Sequence, residues 1–252
     1  GLVARNIDTM LSVARDPARV RPHVKTHKMP AIIRMSEARG ITRHKCATIA
    51  EAEMVAAAGG TDVLLAYPLV GPNVARLAAL MKAFPDTIFR ATVDEPAAAR
   101  ALSEAIHGVG RTLPVLVDLD VGMGRTGIAP GDGAVELYEL IDRLPGLLPD
   151  GLSAYDGHNH EFTMKDRAAL TEPVKELTFG LRDRLLARGL PVPRLVMGGT
   201  PTFALYAALD EPGIECSPGT VTLHDVGYAN RHPELPYTIA AAVLTRVISR
   251  PR

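Results

Sequence analysis

The chain has 252 residues, of which 47% are hydrophobic and 22% charged, the composition of an ordinary globular protein. Lys+Arg and Asp+Glu number 28 each, so the net charge is zero and neither a nucleic acid nor a membrane is an expected partner. Two isolated cysteines, Cys46 and Cys216, argue against a disulfide scaffold or a cysteine zinc site and fit a reducing cytoplasm; no stretch approaches the roughly 18 apolar residues of a membrane span, and Gly1–Asn6 lacks a signal-peptide pattern.

In chain order, Leu2 to Arg15 carries Leu2, Val3, Asn6, Ile7, Met10, Leu11 and Ala14 at helical spacing, which predicts an amphipathic helix with Arg5 and Asp8 on its wet face. Arg21 to Lys28 follows as a predicted strand, entered through Pro22, with His23, Lys25 and His27 on one face and Val24 and Thr26 on the other. A lysine on a half-buried face must be neutralised, paired or bonded, which singles out Lys25 as a reactive amine. Taken alone, these eight residues fit an ordinary basic strand end in water equally well.

Met29 to Arg39 is a predicted helix, with Pro30 in its first turn and Gly40 as its stop. Strands are predicted around Lys45–Thr48, Asp62–Tyr67, Thr87–Val93, Leu113–Leu119, Leu152–Tyr155, Arg194–Met197 and Ile214–Cys216. Helices are predicted between them over residues 49–58, 74–84, 95–106, 133–144, 166–188 (interrupted near Pro173) and 201–209. Eight strands alternate with helices at a spacing of roughly thirty residues, as β-α units do. The fold expected is a (β/α)8 TIM barrel in one domain over residues 1–252, with the first helix covering its mouth. Beyond Val221 the pattern fades: Leu223–Pro236 reads as a loop, and Tyr237–Ser249 starts an apolar element that the chain does not finish.

In such barrels the active site forms at the C-terminal strand ends. Gly198-Gly199-Thr200-Pro201-Thr202 and Ser217-Pro218-Gly219-Thr220 follow the last two strands and suit a phosphate, held by backbone N–H groups at a helix N-terminus. Turn glycines with an N-cap threonine would explain one such loop, but two adjacent ones favour the phosphate. The run Asp120 to Gly127 is a weak match to a dinucleotide fingerprint, because no acidic strand end follows at the right distance; its small residues would let Arg125 fold back over the barrel mouth, toward a phenolate or carboxylate. His158 and His160 could act as a base, share a metal with an unnamed third ligand, or do neither. His44, His107, His224 and His232 read as surface or packing residues. An interior lysine facing a phosphate grip suggests pyridoxal phosphate, bonded to Lys25 through its aldehyde.

Arg-Pro-His-Val-Lys25-Thr-His-Lys, the run Asp118 to Gly127, Ala-Tyr155-Asp-Gly-His158 and the two glycine-threonine loops resemble the D-threonine aldolase and D-serine dehydratase family, of the alanine racemase fold type. The resemblance implies that Lys25 holds pyridoxal phosphate, Arg125 contacts its ring hydroxyl, Tyr155 lies near the pyridine nitrogen, and Gly199, Thr200, Gly219 and Thr220 surround the phosphate. It implies a lyase for small D-3-hydroxyamino acids, with His158 or His160 taking the β-hydroxyl proton as Cα–Cβ breaks to give glycine and an aldehyde. A D-serine or 3-hydroxyaspartate dehydratase, with Lys25 taking the Cα proton, and a non-catalytic cofactor-binding barrel are the alternatives. A metal-dependent barrel hydrolase built on His158 and His160 would leave the Lys25 strand unexplained. The family's second, β-rich domain is expected to be absent here, and with it the ligands of the divalent metal that the resemblance implies. Relatives of this fold type are commonly dimers, which leaves a homodimer open.

Overall fold

The structure, a computed structural model, describes residues 1–251. Among these, the elements run α1 (Leu2–Ala14), α2 (Pro30–Glu37), β1 (Arg43–Cys46), α3 (Ile49–Ala57), β2 (Asp62–Leu65), α4 (Pro72–Ala83), β3 (Ile88–Val93) and α5 (Pro96–Gly108). They continue as β4 (Leu113–Leu119), α6 (Asp132–Arg143), β5 (Leu147–Ala154), α7 (Met164–Leu186), β6 (Leu195–Met197), α8 (Phe203–Ala207), β7 (Ile214–Cys216) and α9 (Val226–Arg231). The strands form one parallel sheet in sequential order β1 to β7, curled, with helices packed on its outer face. Each helix start has a local cause. Thr48 caps α3 by accepting from Glu51 N at 3.1 Å, and Glu95 caps α5 by accepting from Ala98 N at 2.9 Å, ahead of Pro96.

Seven strands form where eight were expected. The first candidate is replaced by single bridges: Val20 pairs with Cys216 of β7, and His23 pairs with Lys45 of β1. Arg21 N donates to Cys216 O at 2.8 Å, His23 N to Pro218 O at 2.9 Å, and Lys45 N to Pro22 O at 3.0 Å. Residues 20–23 therefore connect the two sheet edges, but Pro22 supplies no donor and the chain turns at once into a 3₁₀ turn, Val24–Thr26. His23, Lys25 and His27 thus do not alternate along a strand. His23 caps the turn instead, its Nδ1 accepting from Lys25 N at 3.3 Å.

Three further expectations change. The first helix does not cover the mouth; α1 packs between α8 and α2 in the outer layer, burying Ile7, Met10 and Ala14. Asn6, on the same stripe, is tied to Thr222 O, Thr238 O and Thr238 N. Helix α7 runs through Pro173 without interruption, because Val174, Thr178, Leu181 and Leu185 keep one face buried, offsetting the lost hydrogen bond. Residues 226–231 form a helix rather than a loop, capped by Asp225, whose carboxylate accepts from Tyr228 N at 3.1 Å. The apolar run after Tyr237 forms no regular element, and Val243, Leu244, Val247 and Ile248 are exposed.

Inside the curl, Leu64, Leu116 and Val196 from β2, β4 and β6 make a small apolar layer. The large core lies on the other face, between sheet and helices, and includes Val63, Leu65, Ala91, Val115 and Val117. Apolar side chains on both faces explain the unbroken hydrophobic runs of the strands. Below the inner layer, three arginines and three carboxylates alternate in a closed ring: Arg21, Asp62, Arg90, Asp150, Arg194 and Glu215. Arg21 Nη1 is 2.7 Å from Asp62 and its Nε is 2.5 Å from Glu215, and the guanidinium is fully buried. Gly151 sits where β5 shifts register against β4; its φ is +126° and an added Cβ would lie 2.0 Å from Arg194 O.

Candidate active site

The C-terminal ends of the strands open into a cleft of about 410 Å³. Lys25, Tyr155, His160, Gly199, Thr200, Gly219 and Thr220 all line it, so a 3₁₀ turn, the loops after β5 and β6, and the loop after β7 converge on one space. Lys25 is more exposed than the strand reading implied, because the turn lifts it to the cleft. Its pKa is nevertheless lowered, first by the surrounding protein and then by repulsion from Arg125 and Lys28, against the pull of Glu51. A larger neutral fraction makes a better nucleophile.

Three cations surround the Tyr155 ring: Lys25 Nζ at 5.6 Å from its centroid, Lys45 Nζ at 5.8 Å and Arg125 Cζ at 5.1 Å. Arg125 gets there as the small residues around it suggested. The loop after β4 folds back, with Asp120 Oδ1 accepting from Gly122 N and Gly124 N at 3.0 Å each, and Ile128 rejoining Leu119 in a bridge. Lys45 is buried, and its pKa is pushed down to about 8 by burial, with Asp118 opposing and Lys25, Arg21 and Arg125 adding repulsion. His23 is pushed down to about 2, by burial and then by Lys45, Lys25 and Lys28, so it lines the cleft as a neutral ring.

The phosphate-type loops are arranged differently from simple turn caps. Thr200 Oγ1 accepts from Gly219 N at 3.1 Å and from Thr220 N at 2.9 Å. Both lone pairs are thereby filled, leaving the Thr200 O–H as a donor. The expected backbone donors are therefore spent within the loops: Gly219 N and Thr220 N on Thr200, and Gly199 N on Thr202 Oγ1 at 3.1 Å. Thr202 in turn donates to Asp156 Oδ1 at 3.1 Å and Tyr206 OH to Asp156 Oδ2 at 3.0 Å, which locks the start of the Tyr155 loop onto α8. Ser217 Oγ, also at the cleft, is buried with no partner among the described residues.

The two loop histidines separate. His160 lines the cleft, whereas His158 packs against Gly122, where an added Cβ would stand 3.0 Å from its Nε2. Among the described residues, no three His, Cys, Asp or Glu side chains are grouped to hold a metal ion. Tyr155 is confined by two glycines: an added Cβ would lie 2.2 Å from its ring at Gly157 and 3.2 Å at Gly199. Gly157→Ala is therefore expected to push the ring toward the cleft and to weaken binding of an aromatic phosphate there by about tenfold or more. An absorbance titration of pyridoxal phosphate against both proteins checks this, with circular dichroism to confirm folding.

Residues 2–221 match the family described as alanine racemase, N-terminal domain. The chain belongs to this family. Within the alanine racemase N-terminal domain family it is 29% identical over 240 residues to a D-threonine aldolase of Arthrobacter sp., covering 94% of this chain and 62% of that protein. It is also 29% identical over 237 residues to a D-threo-3-hydroxyaspartate dehydratase of Delftia sp., covering 91% and 60%. The crystal structure of D-threonine aldolase from Filomicrobium marinum superimposes with a TM-score of 0.88 at 32% identity, covering 98% of this chain and 68% of that one. This chain thus spans about 60% of the length of these two curated relatives.

Relative to the sequence reading, this alanine racemase N-terminal domain also places Asp225, Tyr228, Arg231 and His232 at the cleft. The Asp-x-x-Tyr pattern from Asp225 signals a capped helix and was the available clue to α9. Nothing local marks His232, which is buried, as a packing residue would be, yet lines the cleft. Among the described residues no helix is long and apolar enough to cross a membrane.

Proposed function

We propose that this chain is one cofactor-binding domain of a pyridoxal-phosphate-dependent lyase that cleaves D-threonine-like 3-hydroxyamino acids into glycine and an aldehyde. The observation that carries this reading is a single cleft holding the Lys25 amine, the two glycine-threonine loops with the Thr200 hydroxyl, and His160. The bridges from residues 20–23 to both sheet edges, with the ion-pair ring beneath, support taking that segment as the eighth strand of a (β/α)8 barrel.

The residues present suit the cofactor. The Thr200 O–H and the unpartnered Ser217 hydroxyl are unused donors for a phosphate, and Lys25 would hold the aldehyde carbon covalently. Arg125, over the Tyr155 ring, supplies fixed charge for a phenolic oxygen. When bound, pyridoxal phosphate would supply an electron-withdrawing ring conjugated to the substrate Cα through the substrate's amine nitrogen. His160 would take the proton of the β-hydroxyl, the Cα–Cβ electrons would move to Cα as the β-carbon leaves as an aldehyde, and a proton returned to Cα would complete glycine. His158, turned to Gly122, does not reach the cleft in this arrangement. The residues here do not form a site for the divalent metal that the family resemblance implies, so no step passes through one.

The dehydratase is the second reading, because the Delftia relative matches at the same 29% identity. There Lys25 would take the Cα proton, the β-hydroxyl would leave as water, and hydrolysis of the released unsaturated amine would give ammonia and a keto acid. Incubating the protein with D-threonine and with D-threo-3-hydroxyaspartate, and measuring glycine against ammonia, separates the two. Borohydride reduction after adding pyridoxal phosphate tests the cofactor itself: label confined to the Lys25 peptide is expected, and label scattered over surface lysines overturns the assignment. Thr200→Val, which keeps the shape but loses the hydroxyl, is expected to raise the dissociation constant for pyridoxal phosphate about tenfold or more. Pyridoxal without its phosphate should bind both proteins alike.

A further inference from the structure

Arg167 is fully buried on α7 and holds together two walls of the cleft. Its Nη1 donates to Glu161 O at 2.7 Å, to Phe162 O at 3.0 Å and to His232 Nδ1 at 2.8 Å, and its Nη2 pairs with Glu234. Asn159 Nδ2 closes the arrangement by donating to Arg167 O at 2.9 Å. One guanidinium thus ties the loop bearing His160 to the segment just after α9.

The contact with His232 has a chemical consequence. A guanidinium has no acceptor, so Nδ1 must accept and cannot carry a proton. His232 is therefore neutral, with its single ring proton on Nε2. Burial lowers its pKa, as does the charge of Arg167, with smaller contributions from Arg231 and His160 against Glu234. The Nε2 atom is buried and has no partner among the described residues, yet His232 lines the cleft. A buried N–H without an acceptor is costly and is rarely left so.

We propose that His232 is a substrate-binding residue, held by Arg167 as a neutral Nε2–H donor for an oxygen of the amino acid in the cleft. The oxygen is that of a carboxylate or a hydroxyl, both of which accept. With Nδ1 occupied and Nε2 already protonated, His232 is not a base, which leaves that role to His160. Arg167 is the positioning residue for both. This assignment rests on the proposed function for the identity of the ligand, but the tautomer follows from the structure alone.

Nitrogen NMR of the histidine-labelled chain, without cofactor, should show His232 as the Nε2–H tautomer throughout about pH 5 to 8, the range in which an ordinary histidine titrates. A proton on Nδ1, or a doubly protonated ring, overturns the proposal. In the cofactor-loaded chain, His232→Phe should weaken D-threonine binding about tenfold, read from the cofactor absorbance, while His232→Gln, which keeps an N–H near the same place, should recover most of it. Equal weakening with D-2-aminobutyrate, which lacks the hydroxyl, assigns the bond to the carboxylate; weakening with D-threonine alone assigns it to the hydroxyl. Unchanged binding in His232→Phe with normal cofactor uptake shows that a buried water satisfies Nε2, and overturns the proposal. Failure of the wild-type chain to take up cofactor at all counts against the proposed function instead, and the NMR result still decides the tautomer.

Discussion

Lys25→Ala is expected to lose the borohydride-trapped pyridoxyl label completely and to lower any lyase activity by a factor of about a thousand or more. The reason is positional. Lys25 and Lys45 both approach the Tyr155 ring, at 5.6 and 5.8 Å, but Lys25 lines the cleft and Lys45 is buried beside it. Depression of its pKa is common to both, so a low pKa alone does not choose between them. Access does. Lys45→Ala should keep its label on the Lys25 peptide, with altered uptake because a charge near Arg125 and Asp118 has gone. Transfer of the label to Lys45 in wild-type protein, or full labelling of Lys25→Ala, would contradict the assignment. Because the amine reacts when neutral, labelling of the wild type should rise with pH and level off below the pH expected for an ordinary lysine.

The second large effect concerns stability. Arg21→Met is expected to cost about 3 kcal/mol, at the low end for breaking a buried ion pair, and to lower the melting temperature by about 10 °C. The low end applies because each carboxylate left behind keeps another arginine: Asp62 keeps Arg90, and Glu215 keeps Arg194 and Arg43. Arg39→Met, which breaks the exposed pair with Asp8, should cost less than about 1 kcal/mol. Acid gives an independent reading. Burial works to raise the Asp62 pKa, but Arg21 and Arg90 outweigh it and hold the group down to about 2. A carboxylate depressed on folding stabilises the protein above its unfolded pKa, and that contribution is lost as pH falls from the unfolded value through about 2. The wild type should therefore resist acid farther than Arg21→Met, whose Asp62 titrates nearer its ordinary range. Equal acid midpoints for the two proteins, followed by circular dichroism, would show that the ring does not stabilise the fold.

Much of the architecture was legible before any coordinates. Seven of the eight expected strands form, in order, and most helices begin and end within a few residues of their caps and glycines. The cleft gathers seven of the nominated residues, from Lys25 to Thr220. The departures have separate causes. The strand expected around Lys25 gives way to single bridges with Cys216 and Lys45, because Pro22 supplies no ladder donor and the chain turns at Val24–Thr26. Helix α7 survives Pro173 through packing of its inner face, which propensity does not report. His158 and His160, separated by one residue in sequence, part company because one meets Gly122 and the other meets the cleft.

Periodicity, caps and turn residues act over a few positions, so the linear order of residues already settles the alternation of strands and helices, the small-residue loop that carries Arg125, and the two glycine-threonine loops. Long-range pairing settles the rest. Arg21 meets Glu215 across 194 positions, and Arg167 meets His232 across 65. No local pattern encodes such contacts, since each depends on burial that exists only after the sheet has curled. The ring beneath the cleft and the single tautomer of His232 belong to the tertiary structure alone.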